Sequence, residues 1–256
     1  MSRILIAASL IAAAVSPALA RTFTVKNNCP YTIWPAHFTD LNVAANVPDY
    51  PSGWEQRSGA SVSFFVPDNW KAGRLWARTD CNFSISAPPL QCSTGGCNGG
   101  LRCDPRTGTG VPPVTVAEWT FEGDGNQDFY DVSLVDGFNI PMKIDISPAQ
   151  CADPACNVNL NPACPNELKH VVNGQVKGCK SACFANLDGN QANSPNCCSG
   201  QYGLPGTCPP SGVQFYDFFK SRCPTSYAYA YDESSETALW TCDSGLKPNY
   251  TITFCP

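Results

Sequence analysis

The sequence predicts an all-β fold that carries a cysteine-laced lobe. Several short stretches alternate apolar and polar residues, the period of a half-buried strand. The 23 prolines and 20 glycines imply many turns and few long helices. Sixteen cysteines crowd into segments that show no periodicity.

Residues 1–20 open with Arg3, continue through an apolar stretch from Ile4 to Val15 and close on Ala18-Leu19-Ala20. That is the layout of a secretory signal peptide. The mature chain is therefore expected to start near Arg21 and to be secreted, extracellular or in the cell wall, where thiols pair. No later run reaches the ~20 apolar residues of a spanning helix, so no integral membrane segment is expected.

From Arg21 to Thr79 the chain reads as short strands. Thr22–Lys26 alternates, and so does Ser61–Val66, with Val62, Phe64 and Val66 on one face. Gly73–Thr79 alternates again. The Cys92–Cys103 stretch, with Gly95-Gly96 and Gly99-Gly100, has no period and reads as a loop held by its own bridges. Strands resume at Val114–Glu122 and Phe129–Val135. Between Cys151 and Cys223, nine cysteines lie among Asn, Pro and Gly, which predicts a disulfide-rich lobe with short helices. Ser211–Arg222 is the best helix candidate: Ser211 and Gln214 suit a capping box, and Phe215, Phe218 and Phe219 form an apolar face. Trp240–Phe254 returns to strand character. With no repeat and no long linker, residues 21–256 are expected to form one domain. Its β core comes from 21–80, 104–150 and 224–256, with a disulfide loop at 81–103 and the lobe at 151–223.

The even cysteine count leaves room for eight disulfides and no reactive thiol. Cys179-x3-Cys183 and Cys197-Cys198 look like metal-ligand clusters. Zinc sites of that kind belong to reducing compartments, however, and only His37 and His170 could assist. These cysteines read as structural, and no metal or other cofactor is expected. A serine-type triad has no Gly-x-Ser-x-Gly elbow to rest on. Both histidines sit in turn-like, polar surroundings and read as surface or packing residues.

Net charge is −5, or −6 without Arg3, and only 14% of residues are charged. A sparsely charged acidic chain excludes nucleic acid and simple attraction to anionic membranes as partners, and fits a neutral or polyol-like ligand. The acidic residues carry the chemistry. In Val114–Phe121, Ala117, Trp119 and Phe121 share one face and Val116, Glu118 and Thr120 the other. In Phe129–Leu134, Tyr130, Val132 and Leu134 face the core, and Asp131 and Ser133 point away. In Gly73–Arg78, Arg74 and Arg78 lie on one face with Trp76. Three strands thus offer charge away from the core. Strict alternation sends Asp136 towards the core, unless Gly137 ends or turns the strand and re-aims the carboxylate. Isolated outward charges are ordinary on half-buried strands. Paired carboxylates beside an arginine suit acid–base cleavage of a glycosidic bond. Two glycosylation sequons occur, at Asn82 and Asn249.

Several motifs bear a close resemblance to the thaumatin-like protein family: GRLWARTDC (73–81) followed by Cys92, Cys97 and Cys103, VAEWTF (116–121), DFYDVSLVDGFNIPM (128–142), CPNEL (164–168), FYDFFKSRCP (215–224) and TITFCP (251–256). The resemblance covers the mature chain and implies a flattened β-sandwich with two disulfide-stabilised lobes. It implies the pairs Cys29–Cys255, Cys81–Cys92, Cys97–Cys103, Cys151–Cys242, Cys156–Cys223, Cys164–Cys179, Cys183–Cys197 and Cys198–Cys208. It also implies a cleft formed by Arg74, Glu118, Asp131, Asp136 and Asp232. Residues 38–55 are longer than in typical plant members and resemble fungal ones, while 157–162 and 186–195 look expanded.

The expectation is therefore a monomeric, secreted thaumatin-like protein that engages β-1,3-glucan of cell walls in an acidic cleft and hydrolyses it weakly and internally. Glu118 is the expected proton donor, Asp131 or Asp136 the nucleophile or base, and Arg74 with Asp232 the substrate-binding pair. Two alternatives are an antifungal wall-polysaccharide binder without turnover and an inhibitor of another secreted hydrolase.

Overall fold

The computed structural model describes residues 20–256, so all of the expected signal peptide except Ala20 lies outside the described residues. The strands are β1 (Ala20–Asn27), β2 (Trp34–Thr39), β3 (Ser61–Pro67), β4 (Gly73–Arg78), β5 (Val116–Thr120), β6 (Gln127–Ser133), β7 (Met142–Ser147), β8 (Ala155–Cys156), β9 (Lys169–Val172), β10 (Gln175–Cys179), β11 (Trp240–Asp243) and β12 (Asn249–Phe254). One α-helix, α1 (Tyr216–Arg222), is described. Two five-stranded sheets, ordered β3-β1-β12-β7-β8 and β11-β6-β5-β4-β2, make the sandwich, and β9 and β10 form a separate hairpin. All pairings are antiparallel except β1 with β12.

Alternation puts the apolar halves of both sheets into one core. Phe23, Phe64, Tyr250 and Ile252 meet Trp119, Phe121, Tyr130 and Val132 there, and all are buried. Phe23 lies 4.8 Å from Trp119, and Tyr250 lies 5.4 Å from Phe121 and 5.5 Å from Tyr130. Such aromatic pairs add to the area they remove from water. As the alternation predicts, Ala117, Trp119 and Phe121, together with Tyr130, Val132 and Leu134, all lie in this core.

The outer face of the second sheet is divided. Over one half lies the glycine-rich loop closed by Cys97–Cys103. It buries Trp76, whose indole donates to Gly95 O at 2.8 Å, and Arg78, which donates to Gly100 O at 2.7 Å and Leu101 O at 2.9 Å. Trp76 and Arg78 are fully buried although they share a face with Arg74. The other half of that face is open.

All sixteen cysteines are bridged, in the eight pairs that the resemblance implies. The lobe differs from its expected form in two ways. Val171-Val172-Asn173-Gly174-Gln175-Val176 folds as the β9–β10 hairpin, with Asn173 and Gly174 both at positive φ (50° and 74°). Asn-Gly between apolar runs is the sequence of such a turn. The helix starts at Tyr216 and not at Ser211. Residues Pro210–Gly212 form a 3₁₀ turn, Phe215 takes a left-handed φ of 60°, and the Gln214 N–H donates to Asn196 Oδ1 at 2.9 Å, so no capping box forms. The histidines also differ from expectation, since both lie on strands. His37 is buried on β2 with Nε2 3.0 Å from Tyr50 O, and His170 on β9 has Nε2 2.9 Å from Ser93 O. No described helix is long and apolar enough to cross a membrane.

Candidate active site

Strand register builds the open half of the outer face. Phe38 is paired with Arg74, Arg74 with Glu118, and Glu118 with Asp131, a single cross-strand row over β2, β4, β5 and β6. Directly opposed residues project to the same face with Cβ atoms about 5 Å apart. Gly73 lets the row start where it does, because a Cβ there would lie 2.1 Å from the Trp70 ring. The row floors a cleft of about 580 Å³, lined also by Thr109, Tyr227, Glu233 and Leu239. That volume lies within the range of small-ligand sites.

Asp136 joins the row by leaving the strand. β6 ends at Ser133, and a turn closed by Gly137 N–H to Leu134 O (2.8 Å) follows. Gly137 has φ 84°, and a Cβ there would lie 2.6 Å from Cys179 O, so glycine is required. Strand parity therefore does not apply to Asp136. Its Oδ2 lies 3.0 Å from Arg74 Nη2, and the same nitrogen lies 3.2 Å from Glu118 Oε1. Arg74 Nη1 donates to Thr109 O at 3.2 Å, which fixes the guanidinium plane.

The carboxyls in this row differ in environment. Asp131 is 8% exposed, and its Oδ1 has no hydrogen-bond partner. Burial, reinforced by Glu118 and only partly opposed by Arg74, pushes its carboxyl well above the usual range. Burial also raises Glu118, but there the adjacent Arg74 pulls back while Asp136 adds a smaller upward push. The Glu118 side chain is 39% exposed. Both carboxyls are thus raised on balance, Asp131 well above the usual range and Glu118 against the pull of Arg74. Tyr227 stands beside them on a segment bridged to β6 at Ser133. Its phenol is raised by burial, by Asp131 and by Glu233.

Asp232 does not belong to the cleft. It is fully buried, with Oδ1 accepting from Tyr216 Oη at 2.9 Å and Oδ2 accepting from Ala228 N–H at 2.8 Å and lying 3.0 Å from Lys220 Nζ. The next residue, Glu233, lines the cleft instead. Residues 232–235 form a 3₁₀ turn, which aims successive side chains about a third of a revolution apart. Sequence reasoning missed Tyr227 and Glu233. The only available signal was the adjacency of two acids in Asp232-Glu233. Both sequon asparagines are exposed: Asn82 Oδ1 accepts from Ser84 N–H at 3.1 Å, and Asn249 Oδ1, at the start of β12, accepts from Thr22 N–H at 2.7 Å.

The sequence profile of the Thaumatin family matches residues 27–256. The chain belongs to the thaumatin family. It is 44% identical over 241 residues to thaumatin-like protein 1 of Pyrus pyrifolia, with 91% of this chain and 90% of that one covered. It is 39% identical over 260 residues to a glucan endo-1,3-beta-glucosidase of Prunus avium, covering 99% and 98%. Among solved structures, a GH family 64 laminaripentaose-producing β-1,3-glucanase from Paenibacillus barengoltzii superposes with a TM-score of 0.56 over 93% of this chain and 75% of that one, at 11% identity. That last likeness is one of fold. For this thaumatin-family chain the acid-rich row on the second sheet is the one place where carboxylates, an arginine and a large cleft coincide among the described residues.

Proposed function

We propose that this thaumatin-family protein is secreted, binds β-1,3-glucan of cell walls in the Arg74–Glu118–Asp131 cleft, and cleaves the chain internally at a low rate. The observation that carries the reading is the opposed pair Glu118 and Asp131: one carboxyl lies against an arginine, and the other is buried with an unpartnered oxygen. The relative named as a glucan endo-1,3-beta-glucosidase supports the substrate class.

In this reading Asp131 carries the proton and donates it to the glycosidic oxygen as the C1–O bond breaks. Glu118, whose ionised form Arg74 favours, takes a proton from the water whose oxygen bonds to C1, or attacks C1 to form a glycosyl ester whose bond to C1 is then broken by a water that Asp131, now ionised, deprotonates. This reverses the expected assignment of Glu118 as donor, for the environmental reason given above. Asp136 fixes Arg74 from the other side. Asp232, buried under Tyr216 and Lys220, takes no part in binding. A second reading, binding without turnover, is favoured by the small exposure of Asp131. The test is retention on insoluble β-1,3-glucan, followed by overnight measurement of released sugar. Retention with release supports the first reading, retention without release the second, and no retention removes both.

A further inference from the structure

The loop between β4 and β5 carries the sequon Asn82-Phe83-Ser84 inside the Cys81–Cys92 bridge. Its middle residue is anchored inward. The Phe83 ring lies 5.3 Å from the Arg78 guanidinium and 6.3 Å from the Trp34 ring. Asn82 and Ser84, on either side of it, are exposed. Ser84 donates to Asn82 Oδ1 twice, from its N–H at 3.1 Å and from its hydroxyl at 2.6 Å. The amide oxygen is thereby held, and Nδ2, without a hydrogen-bond partner among the described residues, is the unengaged end of an exposed side chain.

Asn82 also lines a groove of about 380 Å³, together with Ile85, Leu90, His170 and Val172. Leu90 is 76% exposed, more than any other large apolar side chain among the described residues, and Ile85 is 43% exposed. Apolar side chains that gather on one exposed groove mark a surface that something covers. The lining by itself does not say what the cover is. Asn82 does, because the residue that accepts N-linked sugar is part of the groove wall. Asn249 is placed differently. It begins β12, which is paired on both sides, with β1 and with β7. An enzyme that must draw the acceptor segment into its own cleft can reach an exposed loop of the folded chain, and not a strand inside a sheet.

We propose that Asn82 is an N-glycosylation site and that its glycan lies along the Ile85–Leu90 groove. The donor is a lipid diphosphate-linked oligosaccharide. Asn82 Nδ2 bonds to the anomeric carbon, the bond from that carbon to the diphosphate oxygen breaks, and the diphosphate leaves with the electron pair. Nδ2 gives up one proton to a base of the transferring enzyme, and nothing is oxidised or reduced. The C–H faces of the first sugars rest on Leu90 and Ile85 and take apolar surface out of water, while the sugar hydroxyls stay in it. The inference rests on the secreted part of the proposed function and is independent of glucan.

The experiment expresses the full chain with its own residues 1–20 in a eukaryotic secretory host and recovers the protein from the medium. Treatment with peptide N-glycosidase in heavy-oxygen water converts each sugar-bearing asparagine to a labelled aspartate, which peptide mass spectrometry locates. We expect label at residue 82 in the wild type and its loss in Ser84→Ala. Hydroxyl-radical footprinting of the wild type before and after deglycosylation reads the cover. With the glycan on, oxidation of Leu90 and Ile85 should be about twofold lower, the effect of covering half of their exposed surface. Phe65, exposed on the other sheet, should be unchanged. Secreted wild type without label at residue 82, or with label at residue 249 in its place, overturns the site. Label at residue 82 with an unchanged footprint overturns the groove as the glycan's resting place. Absence of the protein from the medium overturns the secreted reading and the site with it.

Discussion

Arg74 and Glu118 are direct partners across β4 and β5, and the nitrogen that reaches Glu118 Oε1 at 3.2 Å also holds Asp136 Oδ2 at 3.0 Å. One guanidinium group thus offsets the repulsion of two carboxylates on an open sheet face. Replacing it with an uncharged side chain of similar length, Arg74→Met, removes the one influence that lowers Glu118. Glu118 then holds its proton to higher pH. The acidic limb of a sugar-release profile should move upward, with about a tenfold fall in rate at its acidic end for each pH unit moved. A profile recorded from pH 3 to 7 checks this.

Asp131 should be a site where function costs stability. Its carboxyl is raised in the folded state, so the folded chain binds a proton that the unfolded chain has released. Its stability contribution is therefore full below the unfolded value near pH 4 and falls as pH rises towards the folded value. Asp131→Asn should raise stability at pH 7 by on the order of 1 kcal/mol or more, and by little at pH 3.5. Urea unfolding at the two pH values checks the sign. An equal effect at both would contradict it.

The neighbours Asp232 and Glu233 should separate cleanly. Asp232→Asn leaves Lys220 beside a neutral amide in a buried setting, so unfolding free energy should drop by roughly 3 kcal/mol. Glucan affinity of the folded fraction should be unchanged. Glu233→Gln should keep wild-type stability within about 0.5 kcal/mol and alter glucan affinity. Thermal melts and glucan retention on both variants decide the matter.

His37 predicts an acid-side loss of stability. It is buried on β2 against Phe64 and Tyr50 O, and burial lowers its pKa in spite of the backbone contacts. The unfolded chain binds the proton first. This contribution is thus full above about pH 6.5 and is lost as pH falls through the window down to the folded value. Asp131 acts in the opposite sense over part of that range, so the test is a difference between chains. The decline in melting temperature from pH 6.5 to 5 should be smaller in His37→Gln than in the wild type.

Most of the sandwich was legible because its strands are half-buried. Period-two alternation in β1, β3, β5 and β6 reports directly which side chains meet in the core, and the same parity exposed Arg74, Glu118 and Asp131. Parity fails where the chain leaves the strand. Asp136 sits in the turn before Gly137, and Glu233 in a 3₁₀ turn. It fails in another way at Trp76 and Arg78, which lie on the outward face but are covered by a loop whose path no local pattern encodes. Asn173-Gly174 was a readable hairpin signal, masked by the density of cysteines and prolines around it.

The proposed reaction has two opposed carboxyls, Asp131 kept protonated by burial and Glu118 favoured as the ion by Arg74, working as a pair on a glycosidic bond. Its most direct test is reducing-end release from a soluble β-1,3-glucan by the wild type, Asp131→Asn and Glu118→Gln, each also assayed for retention on insoluble glucan. Measurable release by the wild type, a loss of about a hundredfold or more in each variant, and retention in all three are expected. Wild-type rates of release from Asp131→Asn would contradict it.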